Sequence, residues 1–290
     1  MSKKIILLSI TINFLGAFLT FFYFNYINSG FHGQPNISQT QAYLTLAIGT
    51  GVVFGIFYML FRKWAALMIR VADGDISINE LDDLSANRLK RQAIQFPPLY
   101  AVFTFMAWIL AGFIFGFLEP VFSQVFLGAE PRGLIESVGT FFGITVVGGT
   151  IAAMIIYFAA ENMWRKVIGK FFPEGDLSQI KGAFRLSVKK RLIVVFLMIS
   201  LFPLPLLAVT VYTKAQAMQT VNAIVRPQIM SSLLIEIVFI TVICVGVSLL
   251  LSIFVSRSVS NPLRDLETAM KEVENGNLDV QVEMISNDEI

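Results

Sequence analysis

Charge, cysteine and histidine are scarce in this sequence. Charged residues make up 14% of it, too little to cover a water-soluble chain. Cys244 is the only cysteine, which excludes an intrachain disulfide framework and says nothing of the redox compartment. His32 is the only histidine; with no second histidine and no cysteine beside it, it lacks the partners of a transition-metal site. There is no glycine-rich phosphate loop, no nucleophile triad and no basic patch of the kind nucleic acid requires. Catalysis and nucleic-acid binding therefore have no visible equipment here.

What the chain has is apolar length. Hydrophobic residues reach 56% and mean hydropathy is +0.71, against a usual apolar content of roughly 45–50%. Six stretches, 5–27, 42–61, 99–118, 138–160, 192–212 and 233–255, are apolar and long enough to cross a hydrocarbon core about 30 Å thick. The expected fold class is an all-α membrane protein with six transmembrane helices. The expected domains are a sensor and anchor over 1–255 and a signal-transducing segment over 256–290. The first span is long and lacks a small-residue cleavage site before Asn25, so it reads as a retained helix rather than a signal peptide.

Basic residues are distributed unevenly. Nineteen of the 22 lie before span one, in the loops after spans two and four, or after span six; Arg132, Lys214 and Arg226 alone lie opposite. Cationic short loops stay in the cytoplasm, which predicts a multi-pass protein of the plasma membrane with both termini inside. The outer loops, 28–41, 119–137 and 213–232, are too short for a folded sensory domain. Any ligand, a small hydrophobic molecule or a lipid, must be read by the membrane bundle or its outer rim.

The three inner exits are alike. Asp73-Gly74-Asp75-Ile76-Ser77, Glu174-Gly175-Asp176-Leu177-Ser178 and Asn275-Gly276-Asn277-Leu278-Asp279 place glycines at intervals of 101 residues. Each motif suits a helix end: a left-handed glycine, an aliphatic residue folding back, then a turn or cap residue. The candidate explanation is a threefold repeat of two-helix hairpins; the bland one is coincidence between common helix stops.

After span six, Val259, Leu263, Leu266, Met270 and Val273 recur at gaps of 4, 3, 4 and 3 with charges between them. This is a heptad seam, which one helix alone leaves exposed to water. Pro262 suits the first turn of a new helical segment with Asn261 as its cap, and it allows a bend there. With Gly276, Leu278 and the Asp288-Glu289 pair near the end of the sequence, these residues resemble the start of a HAMP domain, the dimeric linker between membrane sensors and cytoplasmic outputs. Six spans leading straight into it resemble the membrane portion of bacterial HAMP-containing class III adenylate cyclases. That resemblance implies a homodimer in the bacterial inner membrane. Its output domain, expected after Ile290, would make cyclic AMP from ATP with two divalent metal ions. None of that catalytic equipment can be placed in these residues. The receptor half of a histidine kinase or chemoreceptor, and a small-molecule transporter built from two-helix repeats, are the alternatives.

Further polar residues are candidates against plainer readings. Glu236 near the outer end of span six is a candidate sensing acid, although its shallow depth permits snorkelling. Glu119, Glu130 and Glu136 crowd the second outer loop with Arg132 nearby and form a candidate cation site. Asn13 reads as a helix–helix hydrogen bond, and Gly112, Gly116, Gly139, Gly143, Gly148 and Gly149 as close helix packing. Pro203 and Pro205 should kink span five.

Overall fold

Asp82 begins the longest helical run of the membrane portion. Its carboxylate accepts the Ser85 N–H at 3.1 Å, and its backbone is extended, so it caps the helix. The same Ser85 hydrogen bonds hold its carboxyl below the usual range. In the computed structural model, residues 2–23, 39–128, 131–173, 188–201 and 203–275 are described, and among them there are helices and no strand. The α-helices are α1 (Ser2–Phe22), α2 (Gln39–Asp73), α3 (Asp83–Phe113), α4 (Glu119–Leu127), α5 (Leu134–Phe142), α6 (Ile151–Arg165), α7 (Val188–Leu201), α8 (Pro203–Thr220) and α9 (Arg226–Glu274). A π-helical stretch, Ile114–Leu118, joins α3 to α4, and a second, Gly143–Thr150, joins α5 to α6.

Four helices among the described residues are long and apolar enough to cross a membrane: Ile48–Asp73, Asp83–Phe126, Leu134–Arg165 and Arg226–Ser256. Leu7–Phe22 is a shorter apolar helix. The stretch 192–212 is helical over its described residues, in α7 and α8, which lie on either side of residue 202, itself outside the described residues. The kink expected at Pro203 and Pro205 falls at residue 202, outside the described residues.

The core gathers on Trp108 of α3. Its indole N–H donates to Asn13 Oδ1 of α1 at 2.8 Å, the interhelical bond expected of Asn13. Three glycines lie against the ring. A Cβ on Gly16 would come within 2.9 Å of it, one on Gly149 within 3.3 Å of it and 2.7 Å of the Trp108 Cβ, and one on Gly148 would overlap it outright. Phe54 of α2 meets the same indole edge-on at 5.5 Å. Interhelical hydrogen bonds in membranes average about 0.6 kcal/mol, whereas overpacking costs about 1–3 kcal/mol. The fit of the ring therefore outweighs the hydrogen bond. Gly112 and Gly116 likewise bring α3 against Phe141 and Ser137 of α5, as the small-residue reading requires.

The helix ends test the exit motif at one place. Gly74 has φ +89°; Asp75 N–H donates to the Arg70 carbonyl at 2.9 Å and Gly74 N–H to that of Val71 at 3.1 Å. This is a Schellman end. Ile76 folds back against the core, and Ser77 caps the short turn Ile78–Glu80. Lys170 crosses from the end of the α5–α6 run to donate to the Ala72 carbonyl at 2.9 Å. Gly175 and Gly276 lie outside the described residues. The three hairpins are not alike in packing. Among the described residues, α3 packs along α6 and α8 along α9, but α1 scarcely touches α2 and lies instead on the Gly143–Thr150 stretch and α6.

The ring contacts yield a graded prediction. Gly148→Ala should lower stability by about 1–3 kcal/mol, because its Cβ would overlap Trp108. Gly55→Ala, whose Cβ meets nothing within 4 Å, should stay within about 0.5 kcal/mol. Thermal unfolding of both variants in the same detergent makes the comparison, and equal melting shifts would contradict the packing account.

Candidate transducing helix and its anchors

One helix joins the membrane portion to the water-soluble seam. α9 runs for 49 residues, about 73 Å at 1.5 Å per residue, more than twice the roughly 30 Å hydrocarbon core. It passes through Pro262 without interruption. This corrects the expectation of a new segment starting at Pro262 with Asn261 as its cap. Proline removes one N–H, so the Ser258 carbonyl loses its helical donor, yet the flanking residues keep the helix continuous. No separate cap stands between membrane and rod.

Two faces of α9 serve two purposes. Ile240 and Leu251 are buried, and Cys244, Val247 and Phe254 pack with them on the other helices. Positions 240, 244, 247, 251 and 254 form one stripe. At 3.6 residues per turn, the heptad seam from Val259 to Val273 points about 100° away from that stripe. In sequence terms, the five-residue gap from Phe254 to Val259 breaks the alternation of fours and threes that both the stripe and the seam keep. The seam thus turns from the chain's own bundle towards something else. Where its side chains are described, they are bare: Met270 is 71% exposed and Val273 47%. Lys271 meets Glu267 at 2.7 Å on the exposed surface, an i,i+4 pair of the kind worth a few tenths of a kcal/mol. Gly276 and Leu278 lie outside the described residues, as do the side chains of Asn261, Pro262, Leu263 and Leu266.

The bundle grips α9 at two levels. At one, Leu251 is fully buried and Phe254 stacks on Phe158 of α6 with ring centroids 5.6 Å apart. At the other, Phe239 packs on Phe22 and Tyr23, each at 5.9 Å. Tyr23 also shares a 3.2 Å hydrogen bond with Thr210 of α8. One turn away Glu236 is 0% exposed. Its Oε1 lies 2.8 Å from Lys214 Nζ of α8 and accepts from Ser232 at 3.3 Å, while Lys214 also donates to Ser232 at 3.0 Å. The snorkelling that the sequence permitted does not occur, because Lys214 supplies a countercharge within the fold. Glu236 Oε2 is buried with no hydrogen-bond partner among the described residues. Sequence reading placed Lys214 in an outer loop and missed it as the partner of Glu236; an acid and a base one helix apart across a short turn are the signal that was available.

The other acids are engaged locally. Glu119 Oε2 lies 3.3 Å from Arg132 and its Oε1 accepts from Ser123 at 2.8 Å. Glu136 accepts the Gly133 N–H at 3.4 Å at the start of α5. Arg132 donates to the Phe115 carbonyl at 3.2 Å as well, which ties the loop to the π-helical turn. Glu130 and His32 lie outside the described residues. Among the described residues no group of three or more His, Cys, Asp or Glu side chains is placed to hold a metal ion.

Removing one charge of the buried pair should cost about 3–5 kcal/mol, because the other remains buried and unpaired. Glu236→Gln or Lys214→Met alone should therefore destabilise the protein strongly. The double variant Glu236→Leu/Lys214→Met should recover much of the loss, as a double-mutant cycle of unfolding midpoints would register. Additive losses would show that the two side chains act independently. Comparison with known proteins is consistent with the reading of the rod: the profile of the HAMP domain matches residues 254–290. No curated protein and no solved structure matches the chain. Helices able to cross a membrane, joined by one continuous helix to a HAMP domain, make this chain a membrane signal-transducing module.

Proposed function

We propose that the chain is the membrane sensor and transducer of a homodimeric signalling protein with six spans and both termini in the cytoplasm. The continuity of α9 from the buried Glu236 to the bare seam at Met270 and Val273 is the observation that carries this reading. A change of packing around α9 reaches the seam without crossing a helix break. The seam completes itself by pairing with a second chain, as HAMP domains commonly do. A ligand drives this only by binding one packing better than another. The uneven basic residues support the orientation through their preference for the cytoplasmic side.

The output that best fits the architecture is an adenylate cyclase domain C-terminal to the HAMP domain, forming cyclic AMP from ATP. Support comes from the apolar bundle with short outer loops feeding directly into the HAMP domain. HAMP domains also serve histidine kinases and chemoreceptors, and this match fits those outputs equally well.

Single cysteines at 259, 263, 266, 270 and 273, placed in a Cys244→Ser background of the full-length protein in native membrane vesicles, test the dimeric rod. Seam positions should crosslink between chains far more readily than the outward positions Arg264 and Glu267. Absence of interchain crosslinks along the whole segment would overturn it. Cyclic AMP formation by the same vesicles, against autophosphorylation, separates cyclase from kinase.

A further inference from the structure

The separation of α1 from α2 leaves a groove that neither the HAMP domain nor α9 uses. It has a volume of about 900 Å³ and is floored by α3, within the range of ligand sites. Each helix gives it one face: Ile5, Ser9 and Asn13 from α1, and Tyr100, Thr104 and Ala107 from α3, both sets at helical spacing. From α2 it is lined between Phe54 and Arg70, about 24 Å along the axis. That length matches one bilayer leaflet, about 15 Å of hydrocarbon plus a headgroup layer of some 5–7 Å.

The groove is also polarised. Phe54 and Phe57 line one end; Arg70 lines the other, beside the Schellman end of α2, and Arg62 stands two turns before it. No aspartate or glutamate lines it. Among the described residues neither guanidinium is paired with a carboxylate. A guanidinium presents a planar fork matched to phosphate oxygens. An uncharged apolar molecule would leave both arginines unanswered, and a small anion would leave the aromatic end empty.

We infer that the groove between α1, α2 and α3 is a binding site for one anionic phospholipid, with its phosphate held between Arg62 and Arg70 and an acyl chain reaching Phe54. The lipid enters sideways from the leaflet at the basic ends of the helices. The site stands apart from the transduction reading, because its test measures bound lipid and not signalling.

The full-length protein is reconstituted in nanodiscs of equal phosphatidylglycerol and phosphatidylcholine, transferred to detergent, and its retained lipid is counted by native mass spectrometry. One phosphatidylglycerol per chain should stay bound and phosphatidylcholine should not. Arg62→Gln/Arg70→Gln should weaken retention about thirtyfold, about 2 kcal/mol for two lost charge contacts. Gly55→Leu offers a second variant. Gly55 lines the groove and a Cβ there meets nothing within 4 Å, so leucine fills the site without disturbing a neighbour. It should reduce retention while the melting temperature holds. Equal retention of the two lipids, or retention unchanged in both variants, would overturn the proposal. Displacement by oleate as effective as by phosphatidylglycerol would overturn the assignment of a phosphate head.

Discussion

The seat of the Trp108 ring is the constraint on which the bundle depends. One side chain is held by glycines from α1 and from the π-helical stretch before α6, by an aromatic edge from α2, and by a hydrogen bond from its own N–H to α1. In lipid the helices gain little from hydrophobic exclusion of one another, so close packing and satisfied polar groups decide which helices adjoin. A large ring admitted by three absent side chains is a specific solution. The same fit explains why polar Asn13 tolerates its depth: its oxygen has a donor and its amide donates to the Ser9 carbonyl at 2.9 Å.

Drawing α1 towards Trp108 has a cost and a consequence. α1 and α2, neighbours in sequence, give up most of their mutual contact, and the space between them becomes the groove. The cost is offset near the N-terminus of α1 and the C-terminal end of α2. There Tyr100 donates to the Ile5 carbonyl at 3.4 Å, and Lys170 ties the α5–α6 run to the end of α2. Phe61, Phe96, Tyr100 and Trp164 form a continuous aromatic stack in this region, with centroids from 4.2 to 5.8 Å. The bundle is therefore tight at that end and around Trp108. α9, by contrast, contributes mainly Ile240 and Leu251 to buried positions.

Local chemistry was legible in the sequence wherever one element carried the whole signal. Gly74 announced a left-handed helix end by its place between an acid and an aliphatic residue. The heptad from Val259 announced a helix in need of partners. The glycines of spans three and four announced close approach. What they approach was not legible, because Trp108 occupies a different span and no spacing rule links it to Gly148. Lys214 was hidden for the same reason. Its short helix, α8, looks like the foot of a span leading into a loop, and only the pairing of α8 with α9 turns it inward. The uninterrupted passage through Pro262 ran against a sound local rule. One missing N–H is a local loss, and long helical segments on both sides outweigh it. The groove was the least legible feature, since it is a space left by packing rather than a motif.

These unequal attachments suggest how a small change travels. Moving a two-state equilibrium from one dominant state to the other takes about 5.5 kcal/mol of differential binding. The buried Lys214–Glu236 pair, at 2.8 Å, belongs to a class whose disruption costs about 3–5 kcal/mol, the same order. A modest change in the relation of α8 to α9 therefore commands energies adequate for switching. Because the bundle stripe and the seam are about 100° apart on one helix, rolling α9 against α6 carries the seam round with it. A simple slide along the axis would instead displace the seam without changing the side it presents. Rotation alters both contacts at once, and the continuous helix has no break at Pro262 in which to dissipate it. In the proposed dimer, the phase offset between stripe and seam is thus the feature that couples packing among the membrane helices to packing between rods.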